Sequence, residues 1–192
     1  MRGRITCVSG SMSPQPGNWR GVDVAIAITE RVDDKHYSKM LERGRIVAIG
    51  SRDLAADIGL DPYVWQLAWA LETFFDYRGH WHDWVTTQRA ALAGARRLGD
   101  RSRQAAAHRS LGVVHTQLGQ LDDGYLHFRE ALHLYEEVGD PVGQAHTHRG
   151  VGWVRDQQGR RRDALDHNER ALLLYRQAGH RAGQAMVLNN IG

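Results

Sequence analysis

Histidine and arginine carry most of the chemical potential of this chain. Eleven histidines stand among 192 residues, and two pairs are spaced by two: His80 and His82 around Trp81, His146 and His148 around Thr147. Residues two apart on a helix project to nearly opposite sides, so His146 and His148 are poorly arranged to hold one ion. His80 and His82 fall at an expected turn and could converge, but no third ligand lies near them in the sequence. His108 recurs as His148, and His127 as His167, each forty residues on. Recurrence at a fixed period marks positions the architecture uses. Ser110 sits in no nucleophile motif of the Gly-x-Ser-x-Gly kind, and no glycine-rich loop ends in Lys-Ser or Lys-Thr to hold phosphates. Neither an enzyme nor a metal or cofactor site is expected. Arg109 and Arg149 also stand forty apart, and a guanidinium fork matches a carboxylate. Whether they act together depends on the elements that carry them.

Those elements form a repeat. Between the block from Ala105 and the block from Ala145, 16 of 40 positions are identical without a gap. Such self-similarity is the mark of a solenoid, in which each unit buries its apolar face only against its neighbours. Within a unit, Ala107, Leu111, Val114 and Leu118 recur at helical spacing from Ala105, and Gly119-Gln120 interrupts them. This predicts a helix A. Leu121, Tyr125, Phe128, Leu132 and Tyr135 lay one stripe along a helix B. Gly139 suits a left-handed C-terminal residue, and Asp140-Pro141 the N-cap and first position of the next helix. In the following block Arg161 and Asn168 replace Leu121 and Phe128, which predicts a looser hairpin. The block from Trp65 is rich in aromatics (Trp65, Trp69, Phe74, Phe75, Tyr77, Trp81, Trp84) and is expected to anchor the stack.

The small-residue positions name the kind of hairpin. The unit from Ala105 reads His108, Leu111-Gly112, His115, then Gly124, Phe128 and Ala131; the next reads His148, Val151-Gly152, Arg155, then Ala164, Asn168 and Ala171. This resembles the tetratricopeptide repeat, where small residues let helices A and B approach closely; HEAT-type repeats of similar length lack the Leu-Gly and Ala pattern. Turns of the form Leu98-Gly99-Asp100 and Val138-Gly139-Asp140, with Trp65 to Leu71 and Arg78 to Trp81, are similar to the forty-residue repeat regions of actinobacterial NB-ARC and SARP-type regulators. The resemblance implies an all-α, right-handed superhelix of antiparallel hairpins. It further implies a sensor or scaffold in signalling or transcription regulation, with an NB-ARC ATPase or a DNA-binding module as partner.

In that family position five of helix A points into the concave groove, here Trp69, Arg109, Arg149 and Asn189, and position nine gives Thr73, Val113 and Trp153, with Asn190 adjoining. Stacked arginines flanked by tryptophans and an Asn pair would hold an acidic protein or peptide. Alternatively, Arg109 and Arg149 pair with Asp156 or Asp76, or face water. The expected domain spans residues 51–192, as a partial unit 51–64, repeats 65–104, 105–144 and 145–184, and an incomplete unit 185–192. Residues 1–50 lose the phase. Val22 to Thr29 and Arg45 to Ile49 suggest either a small βαβ-like piece around Asp34 to Glu42 or disorder. Met186, Val187 and Ile191 on the last unit point to a fragment of a longer protein or to self-association. Cys7 stands alone, so no disulfide framework is available. No stretch suits a membrane helix or signal peptide, so a cytoplasmic protein is expected. The net charge is +3, with 25 Lys and Arg against 22 Asp and Glu, interspersed. The cationic run Arg160 to Arg162 reads as a solvated turn, with nucleic-acid binding as the alternative.

Overall fold

Residues 61–191 are described by the computed structural model, and they form helices joined by tight turns. In chain order these are α1 (Asp61–Arg78), α2 (Trp81–Arg97), α3 (Arg101–Gln117), α4 (Leu121–Val138), α5 (Pro141–Gln157), α6 (Arg161–Gln177) and α7 (Arg181–Ile191). The expectations for residues 1–50, and for most of the partial unit 51–64, lie outside the described residues. Odd-numbered helices are the A helices and even-numbered ones the B helices. Helices α3 and α5 begin four residues before the point that the apolar periodicity marks, because a cap starts each there. Asp100 accepts from the Arg103 amide at 2.9 Å. Asp140 accepts from the Val142 and Gly143 amides at 3.0 and 2.9 Å, with Pro141 as the first helical residue.

One turn geometry recurs every twenty residues. Gly79, Gly99, Gly119, Gly139, Gly159 and Gly179 all have φ between 66° and 74°, a conformation that costs an L side chain energy. After α2, the Gly99 amide donates to Arg96 and the Asp100 amide to Ala95; after α4, the Gly139 amide donates to Glu136 and the Asp140 amide to Tyr135. This paired pattern satisfies carbonyls left open at the helix end. A second device spans every hairpin-to-hairpin junction. Gln104, Gln144 and Gln184 donate their side-chain amides to the carbonyls of Ala95, Tyr135 and Tyr175, at 3.3, 3.2 and 3.3 Å. Each glutamine thus binds the start of an A helix to the end of the B helix before it.

Between hairpins, rings rest on glycines. Phe128 is fully buried, and a Cβ added at Gly112 or Gly150 would lie 2.7 or 2.5 Å from its ring. Tyr135 rests in the same manner on Gly143, and Tyr175 on Gly183. In the third hairpin Asn168 takes the place of Phe128; it is buried, and its Oδ1 has no hydrogen-bond partner. Arg161 is exposed where Leu121 is half-buried. This hairpin carries the weaker core the sequence leads one to expect, since a buried polar atom without a partner costs about 1–3 kcal/mol. The aromatic first hairpin divides. Trp84 and Phe75 are buried, whereas Trp69 is 66% and Tyr77 88% exposed, so anchoring falls to two rings rather than the whole set. Trp84 also donates through Nε1 to Ser110 Oγ at 2.8 Å, and Ser110 donates to Glu72 Oε1 at 3.1 Å, which links α1, α2 and α3.

The recurring histidines pair with one another inside each hairpin. His108 Nδ1 lies 3.0 Å from His127 Nδ1, and His148 Nδ1 lies 2.9 Å from His167 Nδ1. One ring must donate and the other accept, so at least one ring of each pair is neutral. Burial lowers all four below the ordinary value, with neighbouring cations adding to it; His108, His127 and His148 fall to about 4.

Gly150→Ala should push Phe128 off its seat and lower stability by about 1–3 kcal/mol; denaturant unfolding measures this, and an unchanged midpoint would remove the ring-on-glycine contact from the account. Because the paired histidines titrate lower in the folded chain than in the unfolded one, the unfolded chain binds more protons between about pH 6.5 and 4. Stability should be full above that window and fall as pH drops through it. Melting temperature against pH checks this, and replacing His108 and His127 together by Gln should flatten the curve.

Candidate functional site

Successive A helices touch one another, α1 with α3, α3 with α5 and α5 with α7, whereas among the described residues successive B helices do not. The stack therefore closes on its A side, and that side is the inner one. A pocket of ≈ 260 Å³ opens there, walled by Trp65, Trp69, Glu72, Arg103, Arg109, Tyr135 and Asp140, with Ser102, Ala106 and Ser110 among its smaller contributors. Arg103 lies over the Trp65 ring at 5.0 Å and pairs with Asp100 at 3.1 Å. The buried Trp65 Nε1 has no hydrogen-bond partner.

Trp69 and Arg109 both line this pocket, but Arg109 is not free. Glu72 approaches it at 3.9 Å, and its positive charge acts on the Tyr135 hydroxyl. Its carboxylate partner is thus Glu72, and neither Asp76 nor Asp156 pairs with it or with Arg149. Arg149, one repeat on, is half-buried, and its positive charge acts on the Tyr175 hydroxyl. Among the described residues no carboxylate reaches it, and its buried Nε has no partner. Beside it stands His146, whose Nδ1 lies 2.6 Å from the Tyr175 hydroxyl oxygen. Burial lowers His146 to about 4, and the positive charges of Arg109 and Arg149 push in the same direction. Burial raises both phenols, Tyr135 and Tyr175, while the arginine opposite each one opposes that rise.

The remaining expected groove residues are placed less uniformly. Thr73, Asn189 and Asn190 are exposed, and Trp153 is half-buried. Val113 packs against the cluster of Phe128, Val151 and Val154, which makes it a core residue at least as much as a groove one. Glu72, Tyr135, His146 and Tyr175 are absent from the expected groove residues. Tyr135 and Tyr175 do recur forty apart, and Arg109–Tyr135 and Arg149–Tyr175 share a spacing of twenty-six; that shared spacing was the available signal. The cationic run is also resolved: Arg160 pairs with Asp163 in its own helical turn, and Arg161 and Arg162 begin α6 rather than lying in the turn.

Residues 103–177 match the family model described as tetratricopeptide repeat. No curated protein matches the chain. The helical hairpins thus form an all-α tetratricopeptide-type solenoid, a fold that generally serves as a scaffold. Among the described residues no helix is long and apolar enough to cross a membrane.

Ser110→Ala should leave the buried Trp84 indole N–H without its acceptor and lower stability by about 1–3 kcal/mol. Trp84 fluorescence should shift with it; an unaltered spectrum and midpoint would count against the link.

Proposed function

We propose that this solenoid binds an acidic peptide segment of another protein along its inner face, with Arg149 as the principal anchor. Tetratricopeptide repeats generally mediate protein–protein interaction, and the track proposed here comprises Trp69, Thr73, Arg109, Val113, Arg149, Trp153, Asn189 and Asn190. The observation that carries the reading is the state of Arg149: a half-buried guanidinium with an unpartnered Nε and no carboxylate near it among the described residues. A buried cation without a counter-charge is costly. A ligand carboxylate relieves that cost and gains charge-assisted hydrogen bonds. Arg109 contributes less, because Glu72 already answers its charge. Trp69, exposed beside the pocket, offers a flat apolar surface for a side chain flanking the acidic one.

The wider reading is that of a recognition module in a bacterial regulatory system, cytoplasmic, acting on an ATPase or DNA-binding module. What supports it is the similarity of the forty-residue units to the repeat regions of NB-ARC and SARP-type regulators.

Arg149→Ala should weaken binding of a fluorescein-labelled hexaglutamate peptide by about 10- to 100-fold, the loss of one charge-assisted contact. Arg109→Ala should have a smaller effect, and Glu72→Gln should tighten binding. Fluorescence anisotropy reads all three. Equal affinity of wild type and Arg149→Ala would overturn the reading.

A further inference from the structure

The Arg149 site contains a short hydrogen bond, 2.6 Å between the Tyr175 hydroxyl and His146 Nδ1. Where neutral His146 holds its own proton on Nε2, the hydroxyl donates to Nδ1. The positive charge of Arg149 acts on that same hydroxyl. A carboxylate arriving at the Arg149 guanidinium then meets a hydroxyl whose hydrogen is held by the imidazole, while the Arg149 Nε lies buried without a partner. Protonating His146 at Nδ1 reverses that bond. The imidazolium then donates to the Tyr175 oxygen, and the hydroxyl hydrogen turns toward the carboxylate.

We infer that His146 is a proton-linked positioning residue of the anion site: it takes one proton from solvent as a ligand carboxylate seats against Arg149, so the groove grips acidic peptides more tightly as pH falls. The inference rests on the acidic-peptide reading above and adds its regulation. The balance is one anion bound and one proton gained, with no bond made or broken beyond that proton transfer.

The groups that face His146 support this direction. Arg149 on its own helix and Arg109 from α3 resist its protonation in the empty site, and a bound carboxylate offsets both. His180 meets it edge-on at 5.6 Å from the start of α7, and Asp140 at the cap of α5 favours the charged form. Asp140 is itself engaged by the Val142 and Gly143 amides. The His180 Nδ1 accepts from the Gly183 amide at 3.0 Å. The low value of His146 in the empty site, about 4, leaves room for a rise on binding.

The test measures hexaglutamate affinity by anisotropy from pH 7.5 to 5.5 at constant ionic strength, with the whole chain and with His146→Gln, which keeps an acceptor for the Tyr175 hydroxyl. Wild type should bind about three- to tenfold tighter at pH 5.5 than at pH 7.5, and His146→Gln should bind at pH 7.5 with a flat profile. In parallel, the ring carbon shifts of His146 should titrate about two pH units higher with saturating peptide than without. A flat wild-type profile with binding intact overturns the proton link alone. The same slope in His146→Gln assigns the proton to His180 or elsewhere and also overturns it. No binding by wild type at any pH overturns the acidic-peptide reading and, with it, this inference.

Discussion

A left-handed glycine every twenty residues is the constraint from which the rest of this solenoid follows. Each such glycine reverses the chain where a helix ends, and the paired amide-to-carbonyl bonds around it satisfy groups that would otherwise face the core unpaired. Because all six turns share nearly the same dihedral angle, each helix leaves its predecessor in nearly the same direction. Alike turns keep successive hairpins in one register, and the recurring Gln-to-carbonyl bond holds the junction from the other side. Register then decides which side chains of different repeats meet.

The meeting places are built from complementary sizes. Where helix B presents a ring (Phe128, Tyr135, Tyr175), the next helix A presents a glycine (Gly150, Gly143, Gly183). At the first junction the exchange reverses: Ala95 stands at the Tyr135 position and Arg103 at the Gly143 position, with Arg103 turned over Trp65. The tyrosines do more than fill space. Each brings its hydroxyl to an arginine of the A helix in its own repeat, so the same packing that joins hairpins also orients the inner-face cations. Binding surface and core are therefore coupled, and substitutions at Gly143 or Gly183 should be read as affecting both.

The sequence carried the parts of this arrangement that depend on one chain segment at a time. Gly139 as a left-handed terminus, Asp140-Pro141 as cap and first turn, and the Phe128 stripe were all legible because backbone geometry restricts which residues fit there. The paired histidines were legible as structural positions, because their recurrence can be seen without knowing the partner. What the sequence concealed depends on the offset between stacked repeats. Glu72 reaches Arg109 across a distance of thirty-seven positions, and His146 reaches Tyr175 across twenty-nine. No local periodicity encodes either. Tyr77, counted among the anchoring aromatics, is instead exposed, because an aromatic residue on an A helix suits a core or an open surface equally and the packing of the neighbouring helices selects between them.

The inner face thus holds two arginines of unequal standing, one answered by Glu72 and one left to a ligand. The most direct measurement is a nitrogen–proton NMR spectrum of the arginine side chains and backbone during titration with hexaglutamate. The account predicts that the Arg149 Nε–H signal and the amides around His146 and Tyr175 move together and saturate, while Arg129, Arg161 and Arg162 stay in place. Movement centred on Arg161 and Arg162, with Arg149 unchanged, would contradict it.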